Sequence, residues 1–227
     1  MIDENLFSED LIREVFSAEA IEYAKEQSQK FHKLMACYKC AIMEIETKFN
    51  VLNEEFSLRH DRNPISDIKT RLKSLSSIKE KMQRKGLTLS VNDLEENLSD
   101  IAGVRVICTF PQDAYMLADA LLQQDDVNLI QKKDYIKNPK ENGYRSLHLI
   151  VTVPVFFEKE KKIMRVEIQL RTIAMDFWAS IEHQLRYKKD FEYTEEMANE
   201  LLSIADLSAE LDGRMNELRR KIHGDKD

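Results

Sequence analysis

Residues 165–171, RVEIQLR, alternate strictly between polar and apolar side chains. A period of two predicts a β-strand, because successive side chains of a strand point to opposite faces of the sheet. The apolar face consists of Val166, Ile168 and Leu170. The polar face consists of Arg165, Glu167, Gln169 and Arg171. This polar face either meets water or forms the floor of a cleft in which Glu167 binds a metal ion.

Helices surround the predicted strands. Strand patterns occur at 100–110, 127–137, 145–153 and 165–171. Helical patterns occur at 10–58, 66–85, 111–123, 172–187 and 194–222. This order predicts an α/β fold with a mixed sheet of four or five strands, flanked by helices and extended by a long helix at each end.

The two terminal helices carry apolar residues at heptad spacing, which is typical of helices that pack together. The first stripe consists of Met35, Tyr38, Ile42, Ile45, Phe49, Leu52 and Phe56. The second contains Met197, Leu201, Ile204, Leu211, Met215, Leu218 and Ile222. One small sheet should not cover both stripes, so we expect helices 31–58 and 194–222 to form subunit contacts. The alternative is that the two stripes bury each other within one chain.

Charge and composition limit the classes of partner. The 227 residues carry a net charge of −7, which argues against DNA or bulk RNA binding and leaves room for a local basic patch. The acidic N-terminus lacks a signal-peptide pattern, and no apolar run is long enough to span a membrane, so we expect a cytoplasmic protein. Cys37 and Cys40 match C-x-x-C, but without the further ligands of a zinc site they are expected to be reduced cysteines.

Several charged residues occupy unusual positions. Arg71 falls within the apolar arc of the predicted helix 66–85, where a charge must be paired or face a cleft. Asp100 offers a second carboxylate beside Glu167, and two such carboxylates suit Mg²⁺ that holds a triphosphate. Arg105 has the opposite strand parity to Asp100, so both reach one cleft only if the register breaks near Gly103.

The stretch KENGYRSLHLIV, residues 140–151, begins as a turn and ends as a buried strand. Tyr144, Arg145 and His148 stand at its start, where a structural strand would carry aliphatic residues. They form either a solvated strand end or a binding site. A similar choice applies to helix 172–187, in which Asp176 and Ala179 lie on the face opposite Phe177, and a solvated Asp176 face is the simpler expectation.

The motifs DIAGVRV, KENGYRSLH, VEIQLRT and FWASIEHQLRYK, in this order, resemble the synthetase domain of RelA/SpoT-type alarmone synthetases. With no hydrolase or regulatory motifs beside them, the chain resembles a small alarmone synthetase, closest to the RelP branch. The resemblance implies a nucleotidyltransferase-like fold. It also implies a catalytic domain at 61–190, an N-terminal helical extension at 1–60 and an assembly helix at 191–227.

This family transfers the β,γ-pyrophosphate of ATP to the 3′-hydroxyl of GDP or GTP, forming AMP and ppGpp or pppGpp. The resemblance implies that Asp100 and Glu167 bind Mg²⁺ and that Glu167 is the candidate base. It implies that Arg71 and Arg105 stack on adenine, a role that the planar guanidinium permits. The residues expected to face the ATP phosphates are Lys73, Lys81 and Arg84.

For the acceptor nucleotide, the resemblance implies that Tyr144 stacks on guanine. The residues expected around its phosphates and ribose are Lys140, Arg145, His148 and Gln169. Asp176 borders the guanine pocket in this comparison and stands where the related RelQ branch has Asn.

The family's small members are homotetramers, so a tetramer is the expected assembly, and RNA is a candidate regulator. Two other functions compete with this one. One is a nucleotidyltransferase that releases pyrophosphate, and the other is a non-catalytic nucleotide- or RNA-binding regulator.

Overall fold

The computed structural model describes residues 17–60, 62–186 and 194–223. The expected beginning of the first helix at 10–16, the expected end of helix 172–187 at Tyr187 and the expected domain boundary at 190 lie outside these residues. No helix in the described part of the chain has the length and apolar character of a membrane span.

The described chain folds as a mixed five-stranded sheet with helices around it, which confirms the predicted fold class. The strands are β1 (Ile65–Leu72), β2 (Ala102–Cys108), β3 (Asn128–Asp134), β4 (Leu147–Phe156) and β5 (Lys161–Thr172). The helices are α1 (Ala18–His60), α2 (Leu75–Arg84), α3 (Val91–Asn97), α4 (Pro111–Leu122), α5 (Ile173–Arg186) and α6 (Glu195–His223). The strand order is β1-β2-β5-β4-β3, in which only the β2–β5 pair is parallel.

Helix α1 lies across one face of this sheet and supplies much of the core. Its stripe includes Tyr38, Ile45 and Phe49, which are at most 1% exposed. These side chains join one cluster with the inward residues of β2, β4 and β5. The expectation that the sheet would leave this stripe open was therefore wrong, because the stripe is buried within the chain.

The predicted helix 66–85 is wrong in its first half, since residues 65–72 form strand β1 and the helix begins at Leu75. The spacing of two strand residues explains the error: Ile68 and Leu72 share one face of β1, opposite Val106 and Ala102, and their separation of four also fits a helix that continues into Ile78 and Met82. Arg71 consequently lies on a strand and not within a helical apolar arc.

The expected register break in β2 is also absent from the pairing. Residues 102–108 pair continuously with β1, and 103–108 pair continuously with β5. Asp100 precedes the first residue of β2, so its direction is not bound to the alternation of the strand.

The face of helix α5 that meets solvent is the opposite of the one expected. Asp176 and Ala179 are 7% and 9% exposed, whereas Phe177 and Leu185 are 60% and 51% exposed. Asp176 faces the sheet because three cations pair with it there, and α6 packs beside α5. An apolar row on α5 is thereby left uncovered in the described chain.

Candidate nucleotide-binding site

The sheet face opposite α1 carries a row of polar side chains that crosses all five strands. Residues paired across neighbouring strands project to the same face. The row consists of Lys69, Arg105, Gln169, His148 and Lys133, each opposite the next. The neighbouring row begins with Arg71, Gly103 and Glu167. The alternation in residues 165–171 therefore marks a cleft floor and not a solvated face.

A cleft of about 280 Å³ opens over these rows. Its lining consists of Lys69, Thr70, Arg71, Asp100, Gly103, Val104, Arg105, Glu167 and Gln169. Gly103 stands between Arg71 and Glu167 in the sheet, and a Cβ added there would meet only the Arg71 carbonyl oxygen within 4 Å, at 3.5 Å. The missing side chain keeps open the space between the guanidinium and the carboxylate.

Asp100 is held by two ammonium groups at one end of the cleft. Its Oδ2 lies 2.5 Å from Lys81 Nζ and 3.1 Å from Lys73 Nζ. Burial raises the pKa of Asp100, but the hydrogen bonds and charges of Lys81 and Lys73 outweigh burial, so the net pKa lies below its ordinary value. This carboxylate therefore stays ionised at neutral pH.

Glu167 has the opposite electrostatic environment. Burial and the neighbouring charge of Asp100 raise its pKa, although Gln169 Nε2 donates to its Oε2 at 3.1 Å. His148 Nδ1 lies 3.9 Å from its other oxygen. Two carboxylates in one cleft thus have pKa values shifted in opposite directions.

The two carboxylates fit a magnesium ion. Asp100 Oδ1 is buried and has no hydrogen-bond partner among the described residues, and a cation would satisfy it. No cluster of three or more His, Cys, Asp or Glu side chains that could hold a metal exists in the described chain. Mg²⁺ commonly takes one or two carboxylates and completes its shell with phosphate oxygens and water, which matches this donor set.

The loop 135–146 borders the other end of the cleft and carries an aromatic cluster. Gly143 has a φ of +86°, a left-handed conformation that favours glycine, and a Cβ there would lie 2.5 Å from the Ala205 Cβ. The Tyr144 ring meets His148 edge to face at 5.8 Å, and Lys140 Nζ lies 4.8 Å from the ring centroid of Tyr144. The loop geometry thus presents a ring, an imidazole and an ammonium group together.

His148 is electrically neutral in this environment. Burial lowers its pKa to about 3, with the positive charges of Arg171, Lys140, Lys133 and Arg105 acting in the same direction. The imidazole can therefore accept a hydrogen bond through one nitrogen while it donates through the other.

Asp176 joins the two ends of the cleft. Its carboxylate pairs with Lys69 at 2.9 Å, Arg105 at 3.1 Å and Arg171 at 3.2 Å. Burial raises its pKa, but these cations outweigh burial and the net pKa is lowered. Three cations around one carboxylate leave an excess of positive charge, which favours an anionic ligand.

Two of the expected site residues do not line the cleft. Arg84 is exposed near the end of α2. Arg145 donates to Asp206 of α6 at 3.1 Å and to the carbonyl oxygen of Ile136 at 3.4 Å. The other expected residues lie along the cleft or beside the 135–146 loop.

Three residues of the site escaped the sequence analysis as functional candidates: Lys69, Tyr135 and Arg171. Lys69 was hidden by the helix assigned to residues 66–85. Tyr135 lies in the strand predicted at 127–137, which gives no sign that its ring meets His148 at 5.3 Å. Arg171 had a usable signal, because strand alternation puts it on the face of Glu167 and Gln169.

Comparisons with known proteins identify the family of this chain. Residues 70–192 match the family described as a region found in RelA / SpoT proteins. The GTP pyrophosphokinase YwaC of Bacillus subtilis (strain 168) is 42% identical over 185 residues, covering 82% of this chain and 88% of YwaC.

Solved structures show the same similarity. The small alarmone synthetase 1 of Bacillus subtilis bound to its product pppGpp has a TM-score of 0.78 and 33% identity, covering 86% of this chain and 99% of that chain. The same synthetase bound to AMPCPP has a TM-score of 0.71 and 29% identity, covering 86% of this chain and 98% of that chain. The fold is that of these synthetase domains, and the chain belongs to the RelA/SpoT family.

The neutral state of His148 has a consequence for stability. Its folded pKa lies below the usual value near 6.5, so its contribution is present above that value and is lost as the pH falls toward the folded pKa of about 3. From pH 7 to pH 5 this residue should remove up to about 2 kcal/mol from the free energy of unfolding. We expect the His148→Gln variant to lose correspondingly less stability over this range. Urea unfolding of both proteins at both pH values measures the difference, and equal losses would contradict it.

Proposed function

We propose that the chain is a (p)ppGpp synthetase that transfers the β,γ-pyrophosphate of ATP to the 3′-hydroxyl of GDP or GTP and releases AMP. The observation that carries this proposal is one cleft in which ionised Asp100 and the arginines lie toward one end, an aromatic loop borders the other end, and the less acidic Glu167 lies between them. Relatives named for this activity share the sheet and the family motifs. The RelP branch remains the proposed position within the family.

The end of the cleft that contains Arg71 and Arg105, called the donor end here, suits ATP. Arg71 and Arg105 lie on neighbouring strands with space over Gly103, which allows a flat base to lie between their guanidinium planes. Lys73 and Lys81 stand beside Asp100 and supply positive charge for the phosphates. Mg²⁺ held by Asp100 and Glu167 would neutralise the charge that develops on the transferred group.

The acceptor end suits a guanine nucleotide. The Tyr144 ring supplies a stacking surface, and Lys140 and His148 lie where phosphates and ribose would follow. Glu167 has a raised pKa and lies beside His148, so it is the proposed base for the 3′-hydroxyl. The cytoplasm stays the proposed location, and RNA stays a candidate regulator.

The direct test is to incubate the protein with ATP, MgCl₂ and GDP or GTP and to separate the nucleotides. We expect AMP and ppGpp or pppGpp in equal amounts, because one pyrophosphate group moves per turnover. Release of pyrophosphate would indicate a nucleotidyltransferase instead.

Asp100→Asn and Glu167→Gln should each lower the turnover at least 100-fold, because each removes one proposed metal ligand. Near wild-type turnover of either folded variant would show that the metal assignment is wrong.

The two ends of the cleft should respond separately to substitution. Tyr144→Ala removes a base stack worth roughly 1–3 kcal/mol, so the KM for GDP or GTP should rise about 5- to 150-fold and the KM for ATP much less. Arg105→Ala should have the reverse effect. Initial-rate kinetics with each substrate varied in turn measures both. Equal effects of both variants on both substrates would refute the division between donor and acceptor ends.

We also propose a homo-oligomer, with a tetramer expected from the family. An apolar row remains exposed on α6, whereas the stripe of α1 is buried, so α6 and the adjacent α5 are the proposed contact surface. The α6 row consists of Leu207, Leu211, Met215, Leu218 and Ile222, which are 49–66% exposed. Such a row is unfavourable in water unless another surface covers it.

Replacing both Leu211 and Leu218 with Glu should dissociate the oligomer, because carboxylates would be buried in the contact. Light scattering coupled to size exclusion measures the mass at micromolar concentration. Glu210→Gln together with Glu217→Gln, on the preceding positions of the same helix, is the matched control and should leave the mass unchanged. A monomeric wild-type protein would overturn the proposed assembly.

A further inference from the structure

Arg171 is the most enclosed cation of the cleft, with 4% of the residue exposed. It lies near the end of β5, on the face that carries Glu167 and Gln169. Its guanidinium donates to Asp176 Oδ1 at 3.2 Å, to Gln169 Oε1 at 3.0 Å and to the Tyr144 hydroxyl oxygen at 2.6 Å. One side chain therefore contacts three residues of the proposed site.

The bond to Tyr144 sets the direction of a hydrogen-bonded chain. A guanidinium only donates, so the Tyr144 oxygen accepts from Arg171, which leaves the Tyr144 proton available to His148 Nε2 at 2.8 Å. A neutral imidazole that accepts at Nε2 carries its proton on Nδ1. That nitrogen is the one 3.9 Å from Glu167 Oε1.

The bond to Gln169 sets a second chain. Because Arg171 can only donate, it selects the amide orientation in which Gln169 Oε1 faces the guanidinium. The Gln169 amide nitrogen then points to Glu167 Oε2, at 3.1 Å. Both chains begin at Arg171 and approach different oxygens of the same carboxylate.

We propose that Arg171 is a positioning residue for pyrophosphate transfer. It fixes the ring of Tyr144, which in turn holds His148, and through Gln169 it fixes the orientation of the Glu167 carboxylate. This inference rests on the proposed function, since it assigns Tyr144 to the acceptor base and Glu167 to its hydroxyl. Arg171 itself needs no contact with either nucleotide.

An arginine is required because the partners lie in different directions. The planar guanidinium presents donors on separate nitrogens, and Nη1 binds Asp176 while Nη2 binds Tyr144 and Gln169. A lysine would have one nitrogen on a flexible stem and could not hold this set in a fixed geometry. Asp176 compensates the charge of Arg171. It would retain its ion pairs with Lys69 and Arg105 if Arg171 were removed.

Arg171→Met tests the proposal, because it keeps an unbranched side chain and removes every donor. We expect a kcat at least tenfold lower and a higher KM for GDP at saturating ATP, with the melting temperature showing a folded protein. Arg171→Lys should restore less than half of the lost turnover. Arg165→Met, on the same face of the same strand but bonded to the carbonyl oxygens of Glu95 and Glu96, is the matched control and should behave as wild type.

A double-mutant cycle separates positioning from general stability. Tyr144→Phe keeps the ring and removes only the hydroxyl, so Arg171→Met should cost less turnover in that background than in the wild-type background. Equal costs in both backgrounds, or full recovery by Arg171→Lys, would overturn the proposal.

If Arg171→Met does not fold, Tyr144→Phe decides alone: a reduced kcat supports the proposal and a wild-type kcat overturns it. A wild-type protein that forms no AMP and no alarmone refutes the proposed function itself, whereas an active wild type with an equally active Arg171→Met refutes only the positioning role.

Discussion

The burial of α1 against one sheet face is the constraint on which the cleft depends. That face takes Val104, Val106, Ile168 and Leu170, which are at most 1% exposed. Strand alternation then sends every intervening side chain to the opposite face, where Arg105 stands opposite Gln169 and Gly103 stands opposite Glu167. A slip of one residue in the pairing of β5 would exchange its two faces. The same register therefore both buries the apolar side chains under α1 and places the polar rows in the cleft.

Local charge in the cleft differs in sign from the charge of the whole chain. The sequence carries a net charge of −7, yet Lys69, Arg105 and Arg171 surround the single carboxylate of Asp176. The low-dielectric walls of a cleft strengthen such a local excess, which favours a polyphosphate ligand there.

The sequence predicts an element well when each face of that element is apolar or polar along its whole length. In strand β5 the cleft-facing side chains follow from the alternation in residues 165–171, although the strand itself is longer and extends from Lys161 to Thr172. Strand β1 was misread because Ile68 and Leu72, which share one face of the strand, also fit the spacing of the helix that follows. The burial of Asp176 depends on cations from β1, β2 and β5, which are distant in sequence, and the heptad pattern of α1 does not reveal whether a helix or a sheet covers it.

The pKa values of Asp100 and Glu167 are shifted in opposite directions because the surroundings of the two carboxylates differ. Asp100 receives two lysines, one from α2 and one from the segment that follows β1, so its charge is stabilised in the fold. Glu167 lies deeper on the sheet and has a neutral amide and a neutral imidazole as its nearest neighbours, so burial and Asp100 dominate. A carboxylate that stays charged suits a metal ligand, and one whose pKa is raised toward neutrality suits a base. Exchanging the two side chains would again put one carboxylate in each environment, so the pKa difference belongs to the two positions and the exchange would change only the reach of each carboxylate, by one methylene.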